Sequence, residues 1–88
     1  MKKYVSKVLE LSTAHLPNDQ FESLNYSKHR YGGNEYGFMI IASEYKLDEL
    51  KEYKALMPIL KYAIENNYSY INFDSDNDIC TMFKVYDW

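Results

Sequence analysis

The chain of 88 residues is poor in the residues that mark many small functional domains, with one cysteine, three glycines and two prolines. Because Cys80 is the single cysteine, an intramolecular disulfide is excluded and a reduced, cytoplasmic setting is expected. No partner motif lies near Cys80, so we interpret it as a small apolar residue rather than a nucleophile. The loop after the first predicted strand also lacks a glycine pattern that could cradle a phosphate.

Cationic charge and long apolar runs are scarce as well. Ten lysines and arginines are outnumbered by thirteen aspartates and glutamates, which gives a net charge of −3. A sequence-independent nucleic-acid binder needs a surplus of cations, so this balance argues against a nucleic-acid partner. No apolar run approaches the ~18 residues of a membrane span. The stretch from Val5 to Leu11 is too short and too interrupted for a signal peptide, so neither a membrane association nor a leader is expected.

Tyrosine is unusually frequent, with ten tyrosines among the 88 residues. Its large ring loses little entropy on binding and its hydroxyl tolerates water, so tyrosine suits contact surfaces. Tyr68 and Tyr70 are two residues apart in a predicted strand and should therefore share a face. The predicted partner-binding residues are Tyr31, Tyr36, Tyr68, Tyr70 and Trp88.

The first half of the chain predicts two strands and a helix. Alternating apolar residues indicate a strand from Tyr4 to Leu11. Proline is favoured where a helix begins, so a helix is expected from Pro17 to about Ser27. The stretch from His29 to Tyr36 contains glycine and asparagine and is predicted to be a loop. Gly37 to Ser43 is apolar on both faces, which is typical of a central strand.

The second half has helical periodicity from Glu44 to Asn67 but contains Pro58, which is unfavourable inside a helix. Either one helix is kinked or two helices are separated; we favour two, with Pro58 opening the principal helix and Asn66-Asn67 ending it. Strands are predicted from Tyr68 to Asp74 and from Cys80 to Tyr86, joined as a hairpin. The expected fold is a single α+β domain: a four-stranded mixed sheet in β-α-β-α-β-β order, with helices mainly on one face.

Two polar segments are candidates for chemistry. Ser12, Thr13 and His15 lie where a strand gives way to a helix, which is a common place for functional sites. A hydrolytic or metal-dependent site would use His15 as a base together with Asp74 or Asp76. No glycine elbow surrounds Ser12, so the favoured interpretation is capping of the helix start by Thr13 or His15.

The segment from Asp74 to Asp78 has the composition of a calcium loop. An EF-hand would require glycine and glutamate where this chain has Ile79 and Val85. Aspartate and asparagine also stabilise tight turns through bonds to the local backbone, so we predict a turn here. Neither a metal nor a cofactor is expected.

Three local strings occur together along the chain. They are Leu11-Ser12-Thr13-Ala14-His15, Tyr36-Gly37-Phe38, and Phe73-Asp74 followed by Val85-Tyr86-Asp87-Trp88. This combination resembles a family of small uncharacterised proteins carried on bacterial plasmids and integrative elements. The segment from Lys46 to Leu56 departs from the shorter family pattern. Because the family has no established activity, the resemblance implies a short α+β domain and a mobile-element context, and carries no catalytic residues.

The function that we predict is non-enzymatic: a small cytoplasmic protein that binds a macromolecule, with a protein as the expected partner. The mobile-element context implied by the resemblance points to an inhibitor of host restriction or CRISPR defence, by analogy rather than by residue chemistry. Two alternatives stay open. One is a small enzyme that uses His15 with Asp74 or Asp76. The other is a homo-oligomeric module, such as a homodimer, that pairs through an exposed last strand.

Overall fold

A mixed sheet of four strands forms the centre of the structure, a computed structural model whose description covers residues 6–34 and 36–87. The strands are β1 (Val8–Leu11), β2 (Arg30–Asn34), β3 (Gly37–Ile41) and β4 (Tyr70–Asp74), in the sheet order β1-β4-β3-β2. β1 lies parallel to β4, whereas β4 with β3 and β3 with β2 are antiparallel pairs. The predicted α+β class and four-stranded mixed sheet are confirmed.

Three α-helices pack on one face of this sheet: α1 (Asn18–Asn25), α2 (Tyr45–Glu49) and α3 (Leu56–Glu65). A short 3₁₀ turn, Thr13–His15, joins β1 to α1. The core lies between the helices and the sheet, and the rings of Phe21 and Phe38 meet there at 5.1 Å. Its fully covered members include Leu24, Leu56, Leu60, Ala63, Ile71 and Phe73. Within the described part of the chain, every helix is too short or too polar to cross a membrane.

The segment that we predicted as a loop contains the edge strand β2, so this prediction is wrong. Gly32 and Gly33 have positive φ angles of 68° and 110°, and the pairing with β3 is irregular between Tyr31 and Asn34. Glycines at such angles are as typical of a bulged edge strand as of a loop. The hairpin of the sheet is therefore β2–β3.

The predicted last strand does not form either. In the segment 80–86, which we call the tail, the half-buried residues are Cys80, Phe83 and Tyr86, at every third position, whereas a strand buries every second. The element order is thus β-α-β-β-α-α-β instead of the predicted β-α-β-α-β-β. The true last strand, β4, lies between β1 and β3, so it offers no free edge for pairing with a second copy.

The helical region that contains Pro58 consists of two separate helices, α2 and α3, as we favoured. The break between them lies before the proline. α3 begins at Leu56, which places Pro58 in its first turn. The missing N–H of proline has no helical partner to lose there, so the ring is tolerated. Pro17 is the N-cap of α1, so this helix begins at Asn18, one residue later than predicted.

The end of α3 is confirmed as a left-handed asparagine cap. Asn67 has φ of 62°, and its N–H donates to the carbonyl of Ile64 at 3.1 Å. The N–H of Tyr68 donates to the carbonyl of Ala63 at 2.9 Å. This pair of bonds is the Schellman motif, which satisfies the last carbonyls of the helix and reverses the chain into β4.

Candidate functional site

The sheet face opposite the helices is the candidate site. Side chains alternate along a strand, so each strand gives one set of residues to the helices and another to the opposite face. The set under the helices is fully buried and consists of Phe38, Ile40, Ile71 and Phe73. The residues between them are only half-buried: Met39, Ile41, Tyr70 and Asn72. None of the helices in residues 6–34 and 36–87 covers this side, and we call the group Tyr31, Met39, Ile41 and Tyr70 the tyrosine face.

Two of the predicted contact residues meet on the tyrosine face. In the strand register, Tyr31 of β2 is paired with Met39 of β3, and Tyr70 of β4 is paired with Ile41 of β3. The two phenol rings reach across β3 and stack, with centroids 5.2 Å apart and planes inclined by 14°. A hydrogen bond to Tyr31 is the main cause that raises the pKa of Tyr70, so the phenol of Tyr70 stays neutral at ordinary pH. Stacking of this kind contributes ~0.5–1.5 kcal/mol and keeps both rings in one orientation.

A carboxylate that the sequence analysis did not single out lies on the same face of the sheet, on the neighbouring strand β1. Glu10 of β1 is level with Asn72 of β4. The side-chain amide of Asn72 donates to Glu10 Oε1 at 2.8 Å, and that of Asn77 donates to the same oxygen at 3.0 Å. Asn77 also donates to the carbonyl of Leu11 at 3.2 Å, which fixes the amide. Glu10 thus keeps a defined position on an exposed part of the sheet.

The other predicted contact residues lie elsewhere. Tyr68 follows the left-handed Asn67 and precedes β4, so its ring packs with the helix layer, stacked on Tyr62 at 6.4 Å. The prediction that Tyr68 shares a face with Tyr70 is therefore wrong. Tyr36 lies in the turn between β2 and β3, is 51% exposed and accepts the N–H of Ser75 through its carbonyl. Trp88, like Tyr4 at the start of the first predicted strand, lies outside the described residues.

His15 holds the tail and caps no helix, which corrects our favoured interpretation. Its Nε2 accepts the backbone N–H of Cys80 at 2.9 Å, so Nδ1 carries the proton and donates to the carbonyl of Lys84 at 2.9 Å. The ring is 1% exposed and meets Phe83 edge-on at 6.0 Å. The capping role belongs to Ser12, whose Oγ accepts the N–H of Ala14. Both imidazole nitrogens are therefore engaged with backbone atoms of the tail.

The Asp74–Asp78 segment is a turn, as predicted. Oδ1 of Asp74 accepts the N–H of Asp76 at 2.8 Å, and the carbonyl of Asp74 accepts the N–H of Asn77 at 3.0 Å. These are the local bonds by which aspartate stabilises a turn. Across the residues that the structure describes, no three histidine, cysteine, aspartate or glutamate side chains are grouped to hold a metal ion.

A buried cation lies on the helix layer. Lys46 of α2 is 7% exposed, and its Nζ lies 3.2 Å from Nδ1 of His29 and 3.5 Å from Oε1 of Glu49. Burial is the main cause that lowers the pKa of His29, and the charge of Lys46 lowers it further. The neutral imidazole can accept a hydrogen bond from the ammonium group. This contact therefore depends on His29 being unprotonated.

Fold and site together define a small α+β domain with helices on one side of the sheet and a stacked tyrosine pair on the other. Residues 8–88 match the C-terminal domain of DUF5983, a family of unknown function, and the chain belongs to this family. No curated protein and no solved structure matches the chain. The expected membership of an uncharacterised family is confirmed.

Proposed function

We propose that the domain is a non-enzymatic binding module that docks a protein partner on the tyrosine face. The stacked pair of Tyr31 and Tyr70 is the observation that carries this proposal. Both rings are held in place before any partner arrives, so binding loses little side-chain entropy. Exposed tyrosines with neighbouring apolar side chains are common at the centre of protein interfaces. Met39 and Ile41 supply that apolar surface here.

Charge favours a protein over a nucleic acid as the partner. The exposed carboxylate of Glu10 lies on the same face of the sheet, one strand away from Tyr70, and Asp74 lies at the end of the same strand as Tyr70. A phosphate backbone would be repelled by these groups, since nucleic-acid binding depends on cations that contact phosphates. The net charge of −3 has the same effect at longer range.

The geometry of His15 supports binding over catalysis. A hydrolase that uses His15 with Asp74 or Asp76 needs an imidazole nitrogen facing its substrate. Both nitrogens of His15 are instead bonded to the tail, and the ring is 1% exposed. Asp74 is bonded to the backbone of its own turn. The binding proposal uses residues that already face outward.

We further propose that the protein works in the bacterial cytoplasm as mobile-element cargo and that its partner is a restriction or CRISPR effector. The support is the resemblance of its short sequence strings to proteins of plasmids and integrative elements. The lone cysteine, Cys80, fits a reducing compartment. A homodimer is the competing assembly, and light scattering coupled to size-exclusion chromatography distinguishes it from a monomer that binds another protein.

Co-purification from the native host tests the proposal with matched tyrosine variants. The test variant is Tyr31→Ser with Tyr70→Ser, and the control is Tyr26→Ser, since Tyr26 is 87% exposed and follows α1 on the helix layer. The double variant should lose a partner that the wild type and the control retain. Thermal melting within a few degrees of wild type establishes that both variants fold. Equal capture by all three proteins would refute the tyrosine face as the docking site.

Photo-crosslinking locates the contact directly. A benzoylphenylalanine at position 39 replaces Met39 within the face, and one at position 82 replaces Met82, which is 58% exposed on the tail. The partner should crosslink from position 39 and not from position 82. The opposite pattern would move the interface to the tail.

A further inference from the structure

We infer that the tyrosine face recognises a cationic side chain of its partner, with arginine preferred to lysine. This inference rests on the proposed function and specifies the chemistry of the partner. Its centre is the carboxylate of Glu10, which the proposal for tyrosine-mediated docking does not itself require.

Glu10 is positioned in advance for an ion pair. Its Oε1 accepts two side-chain amides, from Asn72 and Asn77, whereas Oε2 has no hydrogen bond to any residue that the structure describes. The residue is exposed, so a partner can reach the second oxygen. A carboxylate that is already fixed loses less freedom on pairing than a mobile surface glutamate.

The aromatic rings lie within reach of the same cation. Glu10 is level with Asn72, and Tyr70 is two residues along the same strand on the same face. Two residues of a strand span roughly 6.6 Å and neighbouring strands lie about 4.8 Å apart, so the backbones of Glu10 and Tyr70 are roughly 8 Å apart, a distance that a long arginine side chain can bridge. A guanidinium group paired with Glu10 can therefore lie against the phenol of Tyr70. Arginine is preferred because its planar group both stacks on a ring and donates two parallel hydrogen bonds to a carboxylate.

Other tyrosines of the chain already hold a cation in this way. The ammonium groups of Lys7 and Lys84 lie 4.5 Å and 5.0 Å from the ring centroids of Tyr68 and Tyr86. No lysine or arginine within residues 6–34 and 36–87 occupies the stacked pair of the tyrosine face. The pair therefore presents an aromatic surface to which a partner can bring the cation.

The turn beside this end of the sheet adds negative charge. The turn after β4 carries Asp74, Asp76 and Asp78. Among the described residues, neither these aspartates nor Glu10 forms an ion pair. These carboxylates are complementary in charge to a basic segment of a protein.

A pair of short peptides tests the inference on the intact chain. Acetyl-Gly-Arg-Gly-Arg-Gly-amide is compared with its citrulline twin, which has the same shape without the charge, by titration followed in amide NMR spectra. The arginine peptide should shift the amide signals of Asn72 and Tyr70 and bind about 1.4- to fivefold more tightly than the twin, the range for an exposed ion pair. The difference should shrink as salt is added.

The matched variants are Glu10→Gln and Glu22→Gln. Glutamine at position 10 keeps an oxygen for the amides of Asn72 and Asn77 but loses the charge, so the advantage of the arginine peptide should disappear. Glu22 is exposed on α1, and its replacement should leave that advantage intact. Equal binding of the two peptides, shifts confined to another surface, no shifts with either peptide, or an unchanged Glu10→Gln variant would each overturn the inference. Competition for this face by a single-stranded oligonucleotide would also overturn it.

The same variants separate this inference from the proposed function. If the double tyrosine variant loses the co-purified partner while Glu10→Gln retains it, docking on the tyrosine face stands and the cationic recognition is wrong. If Glu10→Gln loses the partner and Glu22→Gln retains it, both are supported. If all variants retain the partner, both are refuted.

Discussion

Replacing His15 with alanine should release the tail and destabilise the whole domain. The imidazole joins the 3₁₀ turn after β1 to two backbone groups of the tail, 65 and 69 residues further along the chain. Alanine can make neither bond. The N–H of Cys80 and the carbonyl of Lys84 then have no partner in their present position, and the edge of Phe83 loses its contact with the ring.

The expected loss follows from these contacts. Each hydrogen bond contributes about 0.5–1.5 kcal/mol net, and the space left by a fully buried ring adds a cavity term. We expect about 2–4 kcal/mol in total, a large share of the roughly 5–13 kcal/mol that a domain of this size has available. For a chain of this length, that loss lowers the melting temperature by roughly 10–25 °C.

Thermal melting and amide hydrogen exchange measure the two consequences separately. The amides of Cys80 and of Tyr86, whose N–H donates to the carbonyl of Ala14 at 2.8 Å, should exchange much faster in the variant. The amides of β4 should exchange faster only to the extent that the global stability falls. Asn18→Ala, an exposed change at the start of α1, serves as the control. A melting point lowered by less than about 4 °C with a still protected Tyr86 amide would show that the reasoning is wrong.

Three further predictions concern the backbone and the buried cation. Gly37→Ala should disrupt the β3–β4 pair, because an added Cβ would lie 1.7 Å from the carbonyl oxygen of Phe73; a native circular dichroism spectrum with unchanged melting would contradict this. Asn67→Val should lower the unfolding free energy by about 1–2 kcal/mol in urea titrations, since its φ is 62°, whereas Asn67→Gly should be neutral or slightly stabilising. The pKa of His29 lies below 6.5 in the folded chain, mainly through burial and then through the charge of Lys46, so the unfolded chain binds the proton more readily. Stability should therefore be full above about pH 6.5, fall as the pH drops toward the folded pKa and level off below it. Urea titrations from about pH 7.5 to about pH 5.5 should show a smaller fall in the unfolding free energy for His29→Gln than for the wild type. An identical fall would refute His29 as the origin of the pH dependence.

Local periodicity carries much of the information on the core. Ile71 and Phe73 alternate along β4 and are both fully buried, and Leu60, Ala63 and Ile64 recur at three- and four-residue spacing on the inward side of α3. These patterns can be read from sequence because each element buries one side of itself whatever its partner is. The asparagine cap of α3 is likewise local, as it depends on the conformation of one residue.

The errors arose where distant groups determine the structure. The tail alternates well enough to suggest a strand, but its hydrogen-bonding partners are His15 and the carbonyl of Ala14, far away in sequence. Arg30–Asn34 contains two glycines in a row, and its strand exists because β3 provides the ladder beside it. Pairing partners of this kind cannot be recognised in a short window of sequence.

The candidate site was predicted in part. Abundance of tyrosine pointed to Tyr31 and Tyr70 separately, and the sheet register brings them together. Tyr68 was assigned to the same face because the predicted strand began at Tyr68, directly after the left-handed Asn67, whereas β4 begins at Tyr70. Glu10 was missed because no nearby sequence pattern distinguishes it from any other exposed glutamate in an edge strand. The two asparagines that hold it are contributed by another strand and by a turn.

The turn after β4 links the candidate site to the clamp on the tail. The side-chain amide of Asn77 donates to Glu10 on β1, next to the tyrosine face. Three residues later, the N–H of Cys80 donates to His15 in the 3₁₀ turn. Only two residues separate Asn77 from Cys80. A displacement of the Cys80 contact with His15 is therefore transmitted to the Asn77 contact with Glu10. The position of the Glu10 carboxylate therefore depends on the tail being anchored. Under the proposed function, His15 would therefore influence recognition without facing the partner, by keeping in place the amide that positions the charge.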